Sequence, residues 1–245
     1  MTIIDIKKLE RQYTDFMLIK DMPVYNLKTK KVSLSKAENE GFDSVAQAIY
    51  KPDSQEHMLI VADNINIEPY ILYHEYTHIV DAESYAKGDK TKYVLSSGYT
   101  EYHASQIELL LMLGAKSIKD PISFRLSKNI TTIAGEKTVR MYIDMKRNLA
   151  IDLFKRSDFP KNIEQLKTAI GILFNYWGLR SICYMYCEDF EEEIDNTAFI
   201  KYIPVSVFNT MNQLMIGWLS DALIDQCCKG YGTMIMPLIH KYHLA

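Results

Sequence analysis

The sequence is poor in cysteine chemistry. Among 245 residues there are four cysteines, Cys183, Cys187, Cys227 and Cys228, and no CxxC pair. That spacing excludes a structural zinc site built on thiolates and gives no disulfide framework, so reduced, buried thiols of a cytoplasmic protein are expected. There is no excess of charge of one sign: the formal net charge is -3 and no basic run is dense, so no nucleic-acid groove is expected. The first residues, MTIIDIKKLERQYTD, lack an apolar core and do not read as a secretory signal. Long apolar runs are also missing. The longest, "AIGILFNYWGLRSICYMYC" (169–187), is interrupted by Arg180 and two glycines and reads as a buried helix, with no membrane role expected. Internal repeats and Gly/Ser/Pro-rich linkers are absent, which excludes a solenoid and a tethered second module.

What is present is the balance of a globular chain, 48% hydrophobic and 24% charged, and long enough for one large domain or two modest ones. Short strand-like runs mix with helices up to about residue 115, and nearly everything beyond is helix-patterned. Ile6, Leu9, Tyr13, Phe16 and Met17 fall at helical spacing in a predicted helix over 3–19. A short strand is predicted at 23–27. The runs at 44–50 and 57–63 flank the turn-like "KPDSQE" and predict an antiparallel hairpin. Pro69 suits the first turn of a helix running to about 87, and a further helix spans 97–113, ended by Gly114. Four helices are expected after that, at about 131–156, 161–187, 204–226 and 232–242, with Gly230 between the last two. The expected fold class is therefore α+β.

The informative stretch is "HEYTH", residues 74–78. On an α-helix His74 and His78 lie about 40° apart around the axis, so both imidazoles can reach one metal ion. Glu75, about 100° round from His74, can flank that ion and meet a water on it. This is the chemistry of HExxH: zinc acidifies a water and polarises a carbonyl, and the glutamate takes the proton. With six histidines, chance spells the motif in roughly one per cent of such chains. The competing reading is an ordinary helix with two idle surface histidines.

A third ligand is needed. Six residues after His78 stands Ser84, a poor ligand, and Asp81 occupies the position where the metzincin pattern has glycine. The helix at 97–113 offers Glu101, His103 and Glu108. With Ala104 at the centre of its inward face, Glu101 and Glu108 lie within about 60° of that centre and His103 about 100° away. Glu101 is near the helix start, beside the returning loop, whereas Glu108 is about 10 Å further along the axis. Glu101 is assigned as the ligand, with Glu108 and His103 as alternatives. Asp81 could accept a hydrogen bond behind a ligand or be solvated. Tyr93, Tyr99, Tyr102 and His103 are candidate donors to a developing oxyanion. His57, His240 and His243 are expected at the surface, and Asn64 is expected in a turn rather than on substrate backbone.

HEYTH followed by "EYHASQIE" (101–108) resembles the zincin metallopeptidases of the gluzincin branch, and the compact ImmA/IrrE-type enzymes among them. The resemblance covers about residues 1–115. It implies a zincin-like domain over 1–118, built of a helix, a small sheet containing an antiparallel pair, the HExxH helix and a ligand helix. A helical part at 119–245 would pack on the cleft. It implies His74, His78 and Glu101 as Zn2+ ligands, Glu75 as general base, a peptide or protein substrate, and the strand "HMLIVADN" along the cleft. No helix-turn-helix is recognisable, and the second helix departs from the family's acidic-Ala-Asn spelling. Two other readings stand beside the enzyme: a non-catalytic binding protein on this fold, and a toxin-type or mobile-element-type protein whose helical half carries the function.

Overall fold

The computed structural model describes residues 3–32, 45–192 and 195–244. Helix α1 (Ile3–Met17) leads to strand β1 (Tyr25–Lys30), then to the hairpin β2 (Ala46–Lys51) and β3 (Glu56–Ala62). The sheet order is β1-β3-β2, with β1 parallel and β2 antiparallel to β3. β3 takes the centre because it is the most apolar strand, with His57, Leu59 and Val61 all buried on one face. The strand expected along the cleft is thus paired on both sides, and β2 is one of the two edge strands among the described residues. Its backbone pattern explains which groups face outward: Val45 accepts from the Ala62 N–H, so Ala48, three residues on, turns its N–H away from β3.

Helix α2 (Pro69–Asp81) carries HEYTH. Proline at its start needs no hydrogen-bond partner there. Its buried side, with Leu72, Tyr73, Tyr76 and Ile79, packs on α1 and the sheet. The Tyr76 hydroxyl donates to the Ile6 carbonyl and the Tyr13 hydroxyl to Thr77, so the motif helix is fixed along its length. A single π turn (Ala82–Ala86) and the left-handed Lys87 end the segment predicted as one helix over 69–87. The short α3 (Lys90–Leu95), capped by Asp89 accepting from the Lys92 N–H, brings the chain back to α4 (Ser97–Met112).

Beyond residue 115 the helical expectation needs correction. Residues 129–138 form a hairpin, β4 (Asn129–Thr132) and β5 (Gly135–Thr138), so the helix expected from 131 begins at 139. Gly135, the residue after the Ile133–Ala134 turn, has φ +91°, the left-handed place that a bulge after the turn needs, and Thr138 caps α5 (Val139–Lys155) by accepting from the Met141 N–H. Helix α6 (Ile163–Tyr186) starts at Asn162, which accepts from the Gln165 N–H. A four-residue helix α7 (Thr197–Ile200) follows. The last two helices are α8 (Val205–Leu214) and α9 (Asp221–Tyr242). Their break falls at Gly217, which has φ +78°, and not at Gly230. Gly230 lies inside α9, where a Cβ would collide with the Met211 sulfur on α8.

One continuous core joins the sheet side and the helical side, from Tyr13, Leu59 and Tyr76 through Tyr102 to Leu173 and Trp177. The four thiols are free; Cys183 and Cys227 are buried, while Cys187 and Cys228 are half-buried. Among the described residues no helix is long and apolar enough to cross a membrane. Helix α6 packs closely along α4 at Gly178, where a Cβ would overlap the Tyr102 carbonyl oxygen and meet the Ser105 Cβ at 2.9 Å. Gly178→Ala should lower stability by about 2 kcal/mol despite alanine's helix preference, because the backbones must separate. Urea unfolding with an unchanged midpoint would contradict so close an approach.

Candidate metal centre

His74 and His78 point from consecutive turns of α2 toward Glu101 on α4. Glu101 Oε2 lies 3.5 Å from His74 Nε2 and 3.8 Å from His78 Nε2, and the three donor atoms fall within 4.8 Å of one another. In a tetrahedral site with zinc–ligand bonds of about 2.0–2.1 Å, neighbouring ligand atoms stand about 3.3 Å apart. The two spacings to Glu101, 3.5 and 3.8 Å, are close to that value, and the two histidine nitrogens lie within 4.8 Å of each other. Two imidazole nitrogens and one carboxylate oxygen are also donors that suit zinc.

Hydrogen bonds behind the histidines favour the same use. His74 Nδ1 is 2.9 Å from Glu108 Oε2, and His78 Nδ1 is 2.8 Å from Thr100 Oγ1. A carboxylate can only accept, so Nδ1 of His74 carries the hydrogen. That sets the ring orientation in which Nε2 faces Glu101. Glu108 is itself held by the Tyr142 hydroxyl and by Lys146, 3.9 Å away, both on α5.

The electrostatics are those of a place built for positive charge. Burial works to raise the pKa of Glu101, yet His78 and His74 hold it down at about 2. Burial acts likewise on Glu108, and Lys146 and His74 keep it at about 2. Burial lowers the pKa of His74, but Glu101 and Glu108 raise it to about 10. His78 goes the other way, to about 4, because burial outweighs the pull of Glu101. Two carboxylates thus flank the His74 ring, one at each nitrogen.

Glu75 sits beside this cluster without joining it. Its Oε2 accepts the outward-facing Ala48 N–H of β2 at 2.6 Å. Burial raises its pKa to about 7, against the lowering effects of His74 and the Ala48 N–H. The residues line a cleft of about 500 Å³. Gln47 and Ala48 of β2 form one side, and Lys167, Gly171 and Asn175 of α6 form the other. The Asn175 side chain also hydrogen-bonds Glu101, so the third member of the cluster is steadied from the helical side.

The remaining candidates separate. Glu108 touches His74 from behind and lies outside the cluster of three donors. His103 Nδ1 is bound by both oxygens of Asp81 at 3.0 and 3.1 Å, and its ring stacks on Tyr99. Asp81 therefore serves His103 and neither His74 nor His78. The Tyr102 hydroxyl is buried against Ser181 and the Gly217 carbonyl, while Tyr93 lines the cleft. His240 and His243 are exposed as expected. His57 is not at the surface: it is 2% exposed, pairs with Glu83 and stacks on Tyr50. Asn64 brackets Val32, accepting from its N–H and donating to its carbonyl, a structural clamp.

Glu108, Thr100 and Asn175 were not assigned these roles from the sequence. Glu108 was visible on the inward face of its helix, but its distance from Glu101 argued against it. The His74 ring bridges that distance, with Nε2 facing one carboxylate and Nδ1 the other. No signal in the sequence joins Asn175 to Glu101, because the contact crosses between helices 74 residues apart in number. Comparison with protein-family models, curated proteins and solved structures finds no match for the chain.

Proposed function

We propose that the chain is a zinc-dependent metallopeptidase of zincin-like architecture acting on peptide or protein substrates in the cytoplasm. The observation that carries this reading is the convergence of His74, His78 and Glu101 with a separate half-buried carboxylate, Glu75, on one cleft. A purely structural site has no use for that fourth group. His74, His78 and Glu101 would hold the zinc, which when bound supplies Lewis acidity to a water and to a substrate carbonyl.

The chain's own residues do the rest. Glu75 has a pKa near neutrality, the range in which a carboxylate takes up a proton and gives it back. It accepts a proton from water and returns it to the leaving amine. The Ala48 N–H fixes one of its oxygens and leaves the other for that transfer. Gln47 and Ala48 offer an extended strand along which a peptide can lie. Tyr93 faces the same space.

Metal analysis of the purified protein tests the reading. One zinc per chain is expected in the parent and none in His78→Ala; full occupancy in that variant would sink the assignment. A second result should follow from the support behind His74. Glu108→Gln should weaken zinc roughly 10–100-fold in chelator competition, because the ring loses its charged partner. Unchanged affinity would show that Glu108 serves folding alone.

A further inference from the structure

The two oxygens of Glu101 face different elements. Oε2 turns to the motif helix, 3.5 Å from His74 Nε2 and 3.8 Å from His78 Nε2. Oε1 turns to α6, where a Cβ placed on Gly171 would stand 3.7 Å from it. Glycine there puts no side chain against the carboxylate, and the next turn of the helix supplies the contact. Asn175, four residues on, lies on the same face of α6, and its side chain hydrogen-bonds Glu101.

The Asn175 amide is held in one orientation. Ser105, one turn beyond Glu101 on α4 and fully buried, donates its hydroxyl to Asn175 Oδ1 at 2.7 Å. With Oδ1 so engaged, Nδ2 is the atom that meets Glu101. The reverse orientation would set an amide oxygen against a carboxylate, two groups that only accept. The close approach of α4 and α6 at Gly178 brings Ser105 to this position. Ser105, Asn175 and Glu101 thus form a run of hydrogen bonds from the α4–α6 seam to the candidate metal centre.

We propose that Asn175, locked by Ser105, is a positioning residue that restricts Glu101 to one oxygen at the metal, so that the three-ligand set keeps a position open. This rests on the zinc reading. A carboxylate free to turn can give both oxygens to one ion and so fill the place a water needs. Turning Glu101 in that way breaks its bond to Asn175, and a hydrogen bond to a charged acceptor is roughly twice as strong as a neutral one.

The test uses the full chain loaded with cobalt in place of zinc. Tetrahedral cobalt lacks a centre of symmetry, so its visible band is strong, and the band weakens as the number of ligands rises. The parent should show the strong band. Asn175→Leu, close in size but unable to donate, should keep the fold and one metal per chain yet lose most of the band's strength as the second oxygen joins. Ser105→Ala should lose part of it, because the amide is then free to turn away. A strong band kept in Asn175→Leu overturns the proposal and leaves Asn175 a packing residue. Loss of metal from a folded Asn175→Leu also overturns it, since Asn175 would then serve binding itself and not the number of ligands. If Asn175→Leu does not fold, Ser105→Ala decides, an undiminished band overturning the proposal; if neither folds, the parent's own band decides. A weak band in the metal-loaded parent overturns this proposal alone. A parent that binds neither zinc nor cobalt overturns the zinc reading and this proposal together.

Discussion

Peptide hydrolysis by Glu75→Gln is expected to fall roughly 10²–10⁴-fold, the range a positioned general base contributes, with zinc content unchanged. The amide keeps the shape of the side chain, and its oxygen can still accept the Ala48 N–H. It cannot take up a proton. Glu75 touches neither histidine in the hydrogen bonds that orient them, which belong to Glu108 and Thr100, so metal binding should survive. Zinc analysis and steady-state kinetics on the same preparation separate the two effects. Turnover equal to the parent would show that another group is the base. Loss of zinc would show that Glu75 helps build the site.

The largest effect on stability is expected at Glu192→Gln, a loss of about 3 kcal/mol, seen as a lower denaturation midpoint. Arg180 lies in the middle of α6 with 1% exposure. Its guanidinium donates to Glu192 at 3.1 Å, to Asn212 Oδ1, and to the carbonyls of Asn212 and Met215 at 2.6 and 3.1 Å. These bonds tie α6 to the end of α8. Its Nε has no partner among the described residues, so the charge depends on the contacts that remain. Removing the carboxylate leaves a buried cation short of its counter-charge, and the hydroxyls of Tyr176 and Tyr184 lose a charged acceptor. A variant within about 1 kcal/mol of the parent would place this pair among exposed ion pairs of small worth.

The same pair sets a pH dependence. Burial tends to raise the Glu192 pKa, but Arg180 and the two tyrosine hydroxyls bring it below the ordinary value of about 4.5. A carboxylate with a depressed folded pKa binds fewer protons folded than unfolded. Its stabilisation is therefore complete above about pH 4.5 and drains away as pH falls through the lowered value. Glu192→Gln should remove that share of the acid sensitivity, which unfolding midpoints measured from neutral pH down to pH 3 would reveal.

Local chemistry alone made much of this chain legible. Two histidines four apart need only helical geometry to face one point, and Glu101 needed only its place on a face and near a helix start. The β2–β3 hairpin, the proline start at Pro69 and the Gly114 stop follow from short-range rules that neighbours did not override. The helical half was less readable because its decisive interactions lie between helices. Gly230 looked like a break, but the Met211 sulfur occupies the space a side chain would need. Gly217, where the chain does turn, carried no stronger local mark. The β-branched run before Gly135 lay within a stretch whose apolar spacing also fits a helix. His57 reads as a polar residue at a strand start, and only the partners it finds across the fold, Tyr50 and Glu83, make its burial tolerable. Likewise, the sequence by itself determined which side chains could hold a metal and move a proton. The tertiary structure decided which carboxylate faces Nε2 of His74 and which supports Nδ1, and which strand borders the cleft. Those choices depend on how helices cross and strands order, and contacts between residues far apart in number leave no periodic trace along the chain.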